Sequence, residues 1–132
     1  MTNLERLEDH AISQGAEIIY MQLPNVDGLC IGKTIFISPN LTEHQKFAVL
    51  SEELAHMQYT VGDISSQDTV EKRKSEYFAR QKAYEVTIPF DSVIALLKAG
   101  EYLSDIAERF ELPEDYISEA LAWYQTKRPV TA

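Results

Sequence analysis

The stretch Thr42–Asp63, TEHQKFAVLSEELAHMQYTVGD, decides how the rest of the chain is read. Thr42 followed by Glu43 to Tyr59 reads as one helix, and at roughly 100° per residue its side chains sort onto distinct faces. Phe47, Leu50, Leu54 and Met57 form one apolar stripe. His44, Ser51 and Gln58, spaced by seven, form a polar strip expected to face water. Glu52 and His56 fall on neither; they share a face with Val49 and Tyr59, about a third of a turn from the polar strip. A second, partly apolar face implies a helix packed on two sides, which argues against plain solvation of Glu52 and His56.

Residues four apart stand one turn above each other, so Glu52 and His56 can hold a single ion from a single helix. Glu53 points to the side of that pair, where HExxH helices place a general base. Here the pattern is EExxH. Taken alone it is weak, because the same residues also describe a salt-bridged helix face with a hydrogen-bonded histidine.

Upstream, Leu4, Leu7, Ala11 and Ile12 have the spacing of a short amphipathic helix ending near Gly15. Ala16–Leu23 reads as a strand stopped by Pro24-Asn25. Leu29–Ile31 and Thr34–Ile37 read as a hairpin turning at Gly32-Lys33, giving a small sheet of about three strands. Downstream, a polar loop from Val61 to Asp68, opened by the helix stop Gly62, leads into a helix from Thr69 to about Val86. A third helical region runs from Pro89 to Ala99, and shorter helices follow at Tyr102–Phe110 and Glu114–Gln125. The expected fold is α+β, with a three-stranded sheet and a helical C-terminal part. No repeat or Gly/Ser linker divides the 132 residues. They are expected to form a single compact domain, residues 1–90 as the core and 91–132 as helices packed on it.

The net charge of −9 and a pI near 4.7 weigh against nucleic acid and anionic membrane surfaces. Cys30 is the sole cysteine and cannot form an internal disulfide. The opening residues MTNLERLEDH carry acids where a secretory signal needs a basic flank and an apolar run. No window approaches a membrane span, so the cytoplasm is the expected location.

From the strand Ala16–Leu23 through the hairpin to SEELAHMQYTVGD, and on to KRKSEYFARQKAY and TIPFDSV, nearly the whole chain resembles the ImmA/IrrE family of metallopeptidases, in its small phage or mobile-element form. The resemblance implies a zincin-like domain. It also implies a zinc-dependent endopeptidase that uses metal-activated water to cleave a helix-turn-helix repressor or similar regulatory protein. By the same resemblance Glu52, His56 and Glu76 hold the metal, Glu76 lying on the next helix and followed by the small residues Ala79 and Ala83. Glu53 takes a proton from water and passes it to the leaving amine. Tyr59 and Asp63 are candidates to orient His56 or contact the reacting peptide, and Asp63 is the weaker alternative to Glu76 as third ligand. Tyr59 also reads as simple packing, while His10 and His44 read as surface residues.

The departure from the family pattern is Glu52, which stands where a histidine is expected. A carboxylate can bind zinc at about the distance an imidazole nitrogen does. Glu52 and Glu76 together, however, neutralise the ion, which then acidifies water less. Such ligands also suit Mn2+ or another divalent ion. Weaker zinc binding or slower chemistry is expected, and the alternative is a catalytically weak or inactive member that binds a repressor as a non-enzymatic regulator.

LSDIAERFELPEDYISEAL has the outline of a helix-turn-helix, with Ala107 and Ile117 at core-like positions. A DNA-reading helix needs Arg, Lys, Asn or Gln toward the groove. Here Glu101, Asp105, Glu108, Glu111, Glu114, Asp115 and Glu119 stand against Arg109, so a hairpin packed on the core is expected rather than a nucleic-acid interface. Phe110, Tyr116, Leu121 and Trp123 are core candidates. Lys72, Arg73, Lys74, Arg80 and Lys82 are expected to pair with the acidic surplus.

Overall fold

Two threonine-led capping boxes set the first helices of the chain. The computed structural model describes residues 1–59 and 69–127. Helix α1 spans Asn3–Ser13. Thr2 Oγ1 accepts from the Glu5 amide at 3.1 Å, and the Glu5 carboxylate accepts from the Thr2 amide at 3.0 Å. Helix α2 spans Glu43–Tyr59. Its start repeats the device: Thr42 Oγ1 accepts from the Gln45 amide at 3.1 Å, and Gln45 Oε1 from the Thr42 amide at 2.9 Å. Each box satisfies two amides that lack partners inside the helix, and so marks where the helix begins.

Between them lies a three-stranded sheet of β1 (Glu17–Tyr20), β2 (Gly28–Ile31) and β3 (Thr34–Ile37), ordered β1-β3-β2. β2 and β3 form the expected hairpin, with Gly32 taking the φ of +61° that such a turn favours. β1 runs parallel to β3 and is shorter than the expected Ala16–Leu23. The central strand alternates by its period of two, so Ile35 and Ile37 are fully buried. On β2 the same alternation leaves Leu29 and Ile31 exposed, and α2 packs over the sheet from β2 and β3.

Helix α3 (Thr69–Thr87) lies along α2, and α4 (Phe90–Lys98), α5 (Leu103–Phe110) and α6 (Glu114–Lys127) complete the chain. Six helices and one small mixed sheet among the described residues make an α+β fold. Ala79 and Ala83 on α3 are buried, consistent with a close approach to its neighbours. Among the described residues, polar contacts fasten the C-terminal helices to the end of α3. Tyr124 Oη donates to the Ile88 carbonyl at 3.0 Å, and the Thr87 and Tyr116 hydroxyls lie 2.9 Å apart. Glu111, in the left-handed region at φ 58°, accepts from the Asn3 amide at 2.6 Å and ties the α5–α6 corner to α1.

One buried cluster joins Leu4, Ile35, Leu50, Ile88, Ile106 and Ile117. Ala107 and Ile117 are buried in it, and Phe110, Tyr116, Leu121 and Trp123 pack against it, as their spacing requires. The apolar stripe Phe47, Leu50, Leu54 and Met57 also faces this core. The polar strip beside it needs correcting. Ser51 is buried, because its hydroxyl donates to the Phe47 carbonyl at 2.7 Å and the helix itself satisfies it. His44 is half-buried, while Gln58 and His10 are exposed. The expected loop Val61–Asp68, with Gly62 and Asp63, lies outside the described residues. No helix among the described residues is long and apolar enough to cross a membrane.

Candidate metal centre

The EELAH turn of α2 lies between the sheet on one side and α3 on the other. Glu53 faces the sheet and is 9% exposed. It packs on Gly28 at the start of β2, where an added Cβ would lie 2.4 Å from Val49 Cγ1, 3.1 Å from Glu53 Cγ and 3.3 Å from Glu53 Oε2. A side chain at this position therefore has no room, and the approach of β2 to α2 depends on glycine. Gly28→Ala is expected to lower stability by about 1–3 kcal/mol in urea denaturation, with part of the loss recovered by adding Val49→Ala. An unchanged midpoint would contradict so close a contact.

Burial pushes the Glu53 carboxyl up to about 7, with the charges of Glu52 and Glu76 adding to the rise. Its β2 neighbour Cys30 is raised to about 11 by burial and then by Glu53, so it stays a neutral thiol. His56 is half-buried, and its basicity is lowered by burial against the opposing pull of Glu52 and Glu76. Its Nδ1 is buried with no hydrogen-bond partner among the described residues. Neither Tyr59 nor any other described group therefore orients the ring through that nitrogen. Tyr59 instead sets its ring edge-on to Phe78 of α3 at 5.9 Å, with Lys82 Nζ 5.7 Å from its centroid.

Glu76 is exposed on α3, near enough for its charge to act on both Glu53 and His56. Glu52 is turned toward α3, where Arg80 Nε donates to its Oε1 at 2.6 Å. The expected pairing of basic residues with the acidic surplus thus holds at Arg80, and at Lys82, which lies 3.6 Å from Glu85. The structure brings Glu52, Glu53, His56 and Glu76 into one electrostatic neighbourhood. It does not converge them: among the described residues no three His, Cys, Asp or Glu side chains stand close enough together to hold a metal ion. The physical reason at Glu52 is its commitment to Arg80. Asp63 lies outside the described residues.

The donors nonetheless fit a divalent cation in their chemistry. An imidazole nitrogen without a partner, and a Glu53 carboxyl whose proton affinity is raised by burial and by the charges of Glu52 and Glu76, are what a cation among them would relieve. The profile of the IrrE N-terminal-like domain family, peptidase family M78, matches residues 11–122, from within α1 to within α6. The chain belongs to that family. Comparison with curated proteins and with solved structures gave no match. Membership of the IrrE N-terminal-like family makes the α+β fold a zincin-like one and its function of metallopeptidase type, with a divalent metal as the group this fold is built to use. Two contributors to the site escape a reading by sequence spacing. Gly28 lies far from α2 along the chain, and Arg80 gave no signal beyond being one cation among several.

Proposed function

We propose that this IrrE N-terminal-like domain is a metal-dependent endopeptidase of the cytoplasm that cleaves a regulatory protein, in the first instance a helix-turn-helix repressor of phage type. Glu52, His56 and Glu76 would hold Zn2+, or Mn2+ in its place. The observation that carries the reading is the buried carboxyl of Glu53, raised to about 7, one residue from Glu52 and three from His56. A carboxyl poised near neutrality can take a proton from water and return it to a leaving amine within one turnover. The bound ion would supply Lewis-acid activation of that water and of the peptide carbonyl. Gly28 of β2, packed against Glu53, and the burial of that side chain keep bulk water from its carboxylate. The acidic surface suits a protein partner rather than nucleic acid.

Two variants test this reading. His56→Ala is expected to abolish near-stoichiometric binding of zinc or manganese in metal analysis of the purified protein. Glu53→Gln is expected to retain metal yet lose cleavage of a phage-type helix-turn-helix repressor offered as substrate. Failure of the wild type to take up any divalent ion under any loading condition would sink the proposal.

A second reading has its own support. The Glu52–Arg80 ion pair supplies a cation internally where the family pattern has a neutral histidine, which suits a chain that binds a repressor without cutting it. Tight binding of the intact repressor by wild-type, metal-loaded protein, with no cleavage, would favour it. A DNA mobility shift at physiological salt would favour neither reading.

A further inference from the structure

The ion pair that occupies Glu52 has consequences for the metal itself. Arg80 stands one helical turn beyond Glu76 on α3, and its Nε reaches Glu52 Oε1 at 2.6 Å across the α2–α3 seam. The buried Ala79 and Ala83 lie on the same helix on either side of it. The two partners are unequally exposed, at 26% for the Glu52 side chain and 52% for Arg80. The guanidinium can therefore swing outward without crossing packed core. It also has somewhere to go, because Glu119 of α6 is close enough to act on it electrostatically. A guanidinium cannot lose its proton in this pH range, so it opposes any second cation at Glu52 at every working pH.

We propose that Arg80 competes with the metal for Glu52: it holds that carboxylate in the metal-free protein and must release it before Glu52 can join His56 as a ligand. Arg80 thereby sets the affinity of the centre. This inference rests on the reading of Glu52 and His56 as ligands. It makes Arg80 a positioning residue, acting through Glu52 and not on substrate. Its presence matches the departure at Glu52, since a histidine there offers no negative charge to pair. It also predicts an effect opposite in sign to ordinary damage. Truncating a merely structural arginine leaves metal binding unchanged or weaker, whereas truncating a competitor tightens it.

The test is calorimetric titration of chelator-treated protein with Zn2+, and optical titration with Co2+, at physiological ionic strength. It uses wild type, Arg80→Gln, Arg80→Lys and His56→Ala, each checked by thermal melting. Arg80→Gln is expected to bind both ions about tenfold more tightly, the effect of removing one partly screened charge a few ångströms away. Arg80→Lys is expected to lie nearer wild type, because it keeps the charge. Should Arg80→Gln fail to fold, Arg80→Met retains the aliphatic stem and carries the same expectation. An equal or weaker affinity in the truncated variant, with His56→Ala still abolishing binding, overturns the role of Arg80 and leaves the proposed ligands standing. Absence of His56-dependent binding in both wild type and the Arg80 variants removes the ligand assignment, and the competition with it.

Discussion

Glu53→Gln is expected to stabilise the metal-free protein by about 3 kcal/mol at pH 8 while reducing peptide cleavage by roughly 10²–10⁴-fold in the loaded enzyme. The stability gain follows from the carboxyl's elevation from 4.5 to about 7 in the folded chain. Below pH 4.5 the group is protonated in folded and unfolded chains alike, and charge costs nothing. Between 4.5 and about 7 the folded chain holds a proton that the unfolded chain has released, so wild-type stability falls as pH rises. Above about 7 the full penalty remains, because a charged carboxylate then sits against Gly28 and Val49 near Glu52 and Glu76. Glutamine carries no charge, so the difference between variant and wild type should grow from near zero at pH 4 to its plateau at pH 8. Urea denaturation of chelator-treated protein at four or five pH values measures it. A difference that does not vary with pH would mean that Glu53 is not held in a desolvated, acid-crowded position.

Leu50→Ala is expected to cost about 2–5 kcal/mol, lowering the melting temperature by roughly 10 °C or more. Leu50 is fully buried on the stripe by which α2 meets the core, one turn before Leu54. Alanine there leaves a cavity that the sheet and neighbouring helices close only in part. Leu50→Met, of similar volume, should lose less than about 1.5 kcal/mol. Leu50 faces away from the Glu52–His56 side of the helix, so folded Leu50→Ala should keep the wild-type metal stoichiometry. A loss under about 1 kcal/mol would place the seam of α2 on another face.

The elements themselves were legible because they depend on short-range rules. The periodicity of Glu43–Tyr59 marked α2 with the bounds it has in the structure, and Gly32-Lys33 marked the hairpin turn. Ser51 misled the assignment of faces. A serine can satisfy its hydroxyl on the carbonyl one turn back, so a polar residue type does not guarantee a wet face. The parallel pairing of β1 with β3 was not readable, since each strand's pattern is the same whichever neighbour it takes.

For the site, the order EELAH by itself places Glu52 and His56 one turn apart and sets Glu53 to their side, because helix geometry fixes those relations wherever the helix lies. What those side chains experience was decided by tertiary structure. Glu53 is raised to about 7 because β2 brings a glycine against it, and Glu52 is occupied because α3 brings Arg80 to it. Desolvation and charge pairing depend on distance in space, and Gly28, Glu76 and Arg80 lie more than twenty residues from the side chains they act on, only Glu52 acting on Glu53 from its own helix.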